Sequence, residues 1–397
     1  MRVGIETLTG TGIAGVGSHS RARSIVSIAC GVYAVGYAGY HLSGPFEALR
    51  YLIYALPLLL IASSMQDRVS SWSRPAAAFL FAYVALAVVS YLTGTRDVAF
   101  ASRNFVIIAC AILCFMPVVE VNAAQIRFIF LCSLVYLFMD YWGAERGEIR
   151  LLQMLNNGTG TAVVEGYDSN DGGGVVGPLY AAFFFAIGAK LQFLLALIMS
   201  IVAGKRVAIL AIVVGVCAAM LFRYVPALKQ RRNCFFALLA ALATINIVAT
   251  NLDTISEYVF HSASITVSFD EVMLGRYAIA IELNRMMDTR PFVESLFGSG
   301  PGGADTLASI VSSGVLTQPH NDWMKILHDY GIAGSIVMTT FMALLFSTSA
   351  TAAVIAITTA IIMSTDNVLI YLFYWFPAAL MVAYSQVQEP AARRTPW

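Results

Sequence analysis

Residues 319–334, PHNDWMKILHDYGIAG, set a histidine at the mouth of an apolar helix, with a second histidine, two aspartates and a lysine close behind. His320 is the residue best placed for chemistry. It closes the longest polar excursion in an otherwise apolar chain, so its imidazole stands where a membrane span meets water. Pro319 suits a first helical turn, and Thr317 or Gln318 suits the cap before it. The spacing therefore predicts His320 at a helix N-terminus, where the dipole disfavours imidazolium. A neutral ring in that position is able to take a proton from a hydroxyl group. Asn321 and Asp322 follow directly, positioned to orient the ring or to bind hydroxyl groups themselves. A single histidine at such a junction also has a purely structural reading. His328 and Asp329, two turns further on, fit packing or polar contacts. No third ligand stands at a recognised spacing, so a zinc site on His320 and His328 is not expected.

Two arginines add a second kind of chemistry. Arg206 follows Lys205 in AGKRVAIL, at the outer end of a hairpin between two apolar runs. Cations at span ends often only reach for lipid headgroups. The alternative is a guanidinium held at the surface to grip a phosphate with its planar fork. Arg276, in LGRYAIA, has the same two readings, either a solvated helix face or a group reaching back toward the membrane surface. The turn GSGPGG at 298–303 offers backbone N–H groups as an anion nest. It is not a P-loop, because no Lys-Ser or Lys-Thr follows and no strand precedes it. The chain contains no Asp-x-Asp motif, and its first outer loop carries Glu47 as its one acid. A transferase built on these residues would neutralise its leaving group with arginine rather than with a metal held by an acidic pair.

The elements that must position these residues follow from composition. Hydrophobic residues form 59% of the 397-residue chain and charged residues 12%, with a mean hydropathy of +0.75. Soluble domains are closer to about half apolar and about a quarter charged. Repeated apolar runs of about 17 to 22 residues predict an all-α polytopic membrane protein. We read about twelve spans, near 24–42, 47–65, 75–93, 104–120, 126–142, 174–189, 191–204, 206–223, 233–250, 325–347, 350–365 and 367–386. More than half of the 24 Lys and Arg residues then fall on the inner side, which predicts both termini in the cytoplasm. Residues 1–23 read as a cytoplasmic, disordered tail, 24–250 as spans one to nine, and 251–324 as a large periplasmic loop domain. Spans ten to twelve fill 325–386, and 387–397 form a second tail.

Two outer excursions are long. The first, about 143–173, carries Glu145, Arg146, Glu148, Arg150, Glu165, Asp168 and Asp171 ahead of Gly172–Gly174. Within the second, residues 270–288 have an amphipathic helical pattern expected to lie along the membrane interface. The net charge of +1 gives no global field for nucleic acid. The six cysteines sit in or beside apolar runs without zinc spacing, so neither a disulfide nor a metal is expected from them.

Taken together, the Gly204-Lys205-Arg206 hairpin, Gly275-Arg276 in the large loop, the Phe297-Gly298-x-Gly300 turn, and His320-Asn321 followed by Leu327, Tyr330, Gly331 and Gly334 resemble a known family. It is the bacterial O-antigen ligase and O-antigen or exopolysaccharide polymerase superfamily. The resemblance covers roughly residues 165 to 345, and the other spans match in hydropathy alone. It implies transfer of a glycan from an undecaprenyl diphosphate carrier on the periplasmic face of the inner membrane, without a metal or other cofactor. By motif position, Arg206 and Arg276 would hold the diphosphate and His320 would act as base. Lys205, Asn321 and Asp322 join the expected substrate-binding set. The family often carries Glu near the second glycine, where this chain has Asp329.

Implied partners are the lipid-linked oligosaccharide donor, a glycan or lipid-linked acceptor, membrane lipids and a chain-length regulator. A polymerase would pass the growing chain to another carrier-linked repeat unit, and a ligase would pass it to a lipid A core sugar. The form of the HND-W motif leans toward the polymerase. A flippase or transporter would need polar groups at mid-membrane and broken helices in paired positions. Asp140 and Asp366 lie near span ends, and no internal repeat is found.

Overall fold

Lipid offers no partner to a backbone N–H or C=O, so an apolar chain that crosses it must satisfy those groups internally, as helices do. The computed structural model describes residues 13–39, 44–65, 73–94, 98–117, 120–142, 172–203, 205–251, 255, 276–314 and 318–388, and among them every regular element is helical. In chain order these are α1 (Ile13–Ala38), a 3-10 run Gly44–Ala55 leading into α2 (Leu56–Met65), α3 (Arg74–Thr93), α4 (Val98–Cys114) and α5 (Ala123–Trp142). Next come α6 (Gly172–Ala186), α7 (Lys190–Val202), α8 (Arg206–Tyr224) and α9 (Arg231–Thr250). The loop helices are α10 (Arg276–Thr289), α11 (Phe292–Phe297) and α12 (Gly303–Val311). The chain then re-enters the apolar body with α13 (Asp322–Phe346), α14 (Ala350–Met363) and α15 (Leu372–Gln388).

Each of the twelve apolar segments expected from the sequence coincides with one of these helices, and the protein is an all-α polytopic membrane protein. Among the described residues, five stretches are long and apolar enough to cross a bilayer: Pro45–Met65, Arg74–Thr93, Val207–Tyr224, Arg231–Thr250 and Asp322–Phe346. The boundaries differ in places. The first helix starts at Ile13, inside the segment read as a disordered tail. The second segment begins as a 3-10 helix steadied by an Arg50–Glu47 ion pair of 2.6 Å. The charged residues of the first outer excursion, Glu145 to Asp171, lie outside the described residues, and the excursion's three glycines open α6.

The interior is held by apolar packing with a few polar ties between distant segments. The α6–α7 hairpin packs beside α8, α14 lies against α8 and α6, and α9 runs along α13. Gly215 of α8 admits Thr358 of α14, whose Oγ1 lies 2.5 Å from where a Cβ would stand. Trp323 Nε1 donates to the Ala360 carbonyl at 2.9 Å, tying the start of α13 to α14. Tyr33 Oη donates to the Phe373 carbonyl at 3.1 Å, joining α1 to α15. In low dielectric such satisfied bonds specify one packing, because an alternative would strand their donors.

The outer loop forms a small layer of its own. Ile279 and Leu283 of α10 bury their side chains with Ala304 and Ala308 of α12 and Met324 of α13. The Ile279–Leu283 face of the amphipathic segment thus packs on protein, while Ile281 and Met286 remain exposed.

The turn between α11 and α12 then lies backbone to backbone on α13. Ser299 N donates to the His328 carbonyl at 3.0 Å and Gly300 N to the Asp329 carbonyl at 3.2 Å. Gly298 (φ 83°) and Gly331 (φ 66°) both adopt left-handed backbone. A Cβ on Gly298 would lie 2.3 Å from the Asp329 carbonyl group, and one on Gly331 would lie 2.4 Å from Leu296 O. Only glycine fits either position. Helix α13 kinks at Gly331 to receive the turn.

Candidate functional site

His320 sits two residues before α13, with left-handed backbone at φ 52°. The expected cap at Thr317 or Gln318, with Pro319 in the first turn, is corrected by the structure. Asn321 is the N-cap, its side-chain oxygen accepting from Met324 N at 3.1 Å. A short polar side chain in extended backbone makes that bond more readily than a residue further back, so the helix starts at Asp322. His320 is therefore presented from the strained residue before the cap, half-buried beside the helix mouth.

Asn321 and Asp322 are committed to the scaffold, in contrast to their expected place among ligand-binding groups. While Asn321 Oδ1 caps α13, its Nδ2 donates to the Ala249 carbonyl at 2.9 Å, which fixes the helix mouth to the end of α9. Asp322 is fully buried, and its Oδ2 accepts from Leu369 N at 2.8 Å. It anchors the linker between α14 and α15 onto α13. Asn284 of α10 donates to the Thr250 carbonyl at 3.3 Å. The end of α9, the start of α13 and the loop helix α10 therefore meet at one end of the bundle.

The linker brings in a residue that the sequence reading passed over. Lys205 Nζ pairs with Asp366 Oδ2 at 2.6 Å. The lysine stem reaches this partner across the bare backbone of Gly174, where a Cβ would collide with Lys205 Cδ at 2.6 Å. Burial works against the Asp366 carboxylate, but the charge and hydrogen bond of Lys205, the Asn367 N–H and the nearby His320 together hold its pKa below the ordinary value. Asp366 therefore stays ionised at neutral pH.

Arg206 is the first residue of α8, next to this pair in the chain, and Arg276 is the first residue of α10; both side chains lie outside the described residues. Lys205, Arg206, His320 and Asp366 come from three separate segments at the same end of the bundle as α10.

The glycine-rich turn is not open to an external anion. Asp329 occupies it, with Oδ2 accepting from Gly302 N at 2.8 Å and Oδ1 from Ala304 N at 2.7 Å. The carboxylate thus satisfies N–H groups at the start of α12, as acids at helix N-termini do. The nest expected for a ligand phosphate is filled by the chain itself.

Behind it, Arg290 donates to the His328 carbonyl at 3.0 Å and to Ser299 Oγ at 3.2 Å, and it also contacts His328 Nε2. A ring nitrogen facing guanidinium must accept, which puts the His328 proton on Nδ1, 3.0 Å from Ser299 Oγ. His328 and Asp329 are polar packing contacts, as their spacing suggested.

A further buried group went unread. Lys325 and Asp305, both nearly inaccessible, pair at 2.6 Å, and Asn104 Nδ2 donates to the same carboxylate at 2.8 Å. The lysine is an internal tie between α4, α12 and α13.

The arrangement can do acid–base chemistry at one histidine beside an ion pair, with two arginine-bearing helix starts nearby. Among the described residues no group of three His, Cys, Asp or Glu is placed to hold a metal ion. Residues 191–339 match the family model described as O-antigen ligase. That range lies within the stretch in which the motifs were found and bears out the resemblance. It contains Lys205, Arg206, Arg276 and His320 and stops before Asp366. No curated protein matches the chain.

Proposed function

With that match as premise, we propose that this protein is a multi-pass inner-membrane glycosyltransferase that acts on the periplasmic face. The observation that carries the reading is that the Lys205–Asp366 pair and His320 lie at the bundle end where Arg206 and Arg276 begin their helices.

The donor is a glycan on undecaprenyl diphosphate. The acceptor hydroxyl oxygen attacks the anomeric carbon, the bond from that carbon to the diphosphate oxygen breaks, and the hydroxyl proton passes to His320. The departing diphosphate keeps the bonding electron pair, and its charge is met by Arg206 and Arg276, so no acid catalyst is needed. One displacement at the anomeric carbon implies inversion. The missing Asp-x-Asp motif supports charge neutralisation by arginine.

The acceptor we favour is a second carrier-linked repeat unit, which makes the enzyme a polymerase of surface polysaccharide, served by a chain-length regulator. The ligase reading, with a lipid A core acceptor, draws on the family description itself. A purified sample offered both acceptors separates the two, since elongated carrier-linked glycan marks the polymerase and a glycan-bearing lipid A core marks the ligase.

The mechanism is tested with a labelled lipid-diphosphate glycan. His320→Ala should bind donor yet lose a factor of about 10² to 10⁴ in transfer rate. Arg206→Lys and Arg276→Lys keep the charge but lose the fork, and both should insert normally while transferring poorly. Wild-type turnover by the histidine variant, or a product that retains the donor's anomeric configuration, would overturn the mechanism.

A further inference from the structure

The Lys205–Asp366 contact joins the family-matched segment to a linker outside it, and neither residue is free to act alone. The Lys205 side chain is 17% exposed and the Asp366 side chain 5%, and the two pair at 2.6 Å. Lysine reaches this position because Gly174 lacks a side chain, and the same lack leaves its stem pressed along α6. A cation so compensated adds little to the capture of an incoming anion, whereas it does fix what it joins. What it joins is the turn that begins with Arg206 and the linker that Asp322 pins through Leu369.

We propose that Lys205 and Asp366 form a positioning pair for the transfer reaction, locking the first turn of α8 against the α14–α15 linker at the end of the bundle where His320 precedes α13. This rests on the reading of His320 as the base. It takes Lys205 out of the donor-binding set and makes Asp366, through His320, a determinant of the rate. The charged and titratable groups acting around the carboxylate are Lys205 from the start of α8, His320 from the loop before α13, and Asp322 from α13. A fixed negative charge beside imidazole favours its protonated form, the state produced when the acceptor hydroxyl is deprotonated.

The test uses full-length protein in detergent or nanodiscs, with Lys205→Met, Asp366→Asn, the double Lys205→Met/Asp366→Asn and the exchange Lys205→Asp/Asp366→Lys. Lys205→Met should lower kcat by up to about 10²-fold through misplacement. Its KM for the lipid-diphosphate glycan should stay within about a factor of two, since the lost contact is not one to the donor.

Asp366→Asn should also move the acid limb of kcat/KM to lower pH, because the base loses the charge that acts on it. The exchange variant should regain part of kcat while keeping the shifted acid limb, since a cation then faces the imidazole. A tenfold rise in KM with unchanged kcat for Lys205→Met would make Lys205 a donor ligand and overturn the proposal. So would wild-type kcat and pH profile in both single variants.

Thermal unfolding of the four members of the cycle wild type, Lys205→Met, Asp366→Asn and the double variant measures the pair without any turnover. Additive midpoint shifts would refute the lock even if the donor chemistry were misassigned. Non-additive shifts in a protein that leaves the lipid-diphosphate glycan untouched would uphold the lock and strike the functional reading alone.

Discussion

The residues that decide this site divide into those visible from their own neighbourhood and those visible only once folded. The place of His320 just ahead of a helix was legible because Pro, His, Asn and Asp lead directly into an apolar run. Asp366 was not, because its partner lies 161 residues away in the chain and an acid between two spans looks like an ordinary turn residue. Lys325 failed to read for the opposite reason. A lysine at a helix start looks solvated, yet this one is buried against Asp305 at 2.6 Å.

Removing one member of such a pair leaves a bare charge in low dielectric, which costs about 3 to 5 kcal/mol, while replacing both with apolar groups is often neutral. Asp305→Ala should therefore lower the thermal midpoint of the purified protein sharply, and Asp305→Leu combined with Lys325→Met should recover most of the loss. Fluorescence-detected unfolding in detergent reads both. A double variant as unstable as the single one would show that Asn104 or the surrounding packing, rather than the stranded charge, sets the cost.

At the scale of elements, the twelve apolar runs fixed the helices because hydropathy and helix length are the same property in lipid. The glycine pattern was legible as a motif but not as a mechanism. Phe-Gly-x-Gly and Tyr-Gly mark two backbone surfaces that touch, and a sequence shows neither surface. Two kinds of left-handed glycine now separate. Gly314 (φ 84°) has nothing within 4 Å of an added Cβ, whereas Gly331 (φ 66°) has Leu296 O at 2.4 Å. Gly314→Ala should therefore cost only the local backbone penalty, about 1 to 2 kcal/mol. Gly331→Ala adds a collision that α11 or α13 must move to relieve. We expect Gly331→Ala, and not Gly314→Ala, to detach the α11–α12 turn and open it to limited proteolysis near residues 298–303. Equal resistance in both variants would argue that the kink tolerates a side chain.

For the whole molecule, the Lys and Arg distribution predicts the outer loop in the periplasm and both termini inside. Asp305 is nearly inaccessible and would report poorly on that arrangement, whereas Ser313 lies exposed at the end of α12. Ser313→Cys in intact cells should react with a membrane-impermeant maleimide; reaction only after the membrane is broken would invert the topology. The Lys205–Asp366 contact also bears on how the protein is made. The ribosome delivers Lys205 long before Asp366, so the hairpin of α7 and α8 enters the membrane with its ammonium still lacking a counter-ion. Synthesis therefore passes through a stage in which this cation must stay hydrated at the membrane surface, and the pair closes only when one of the last helices arrives. If the pair positions the transfer site as proposed, catalytic competence becomes a checkpoint on complete insertion, written into the order in which the two charges are translated.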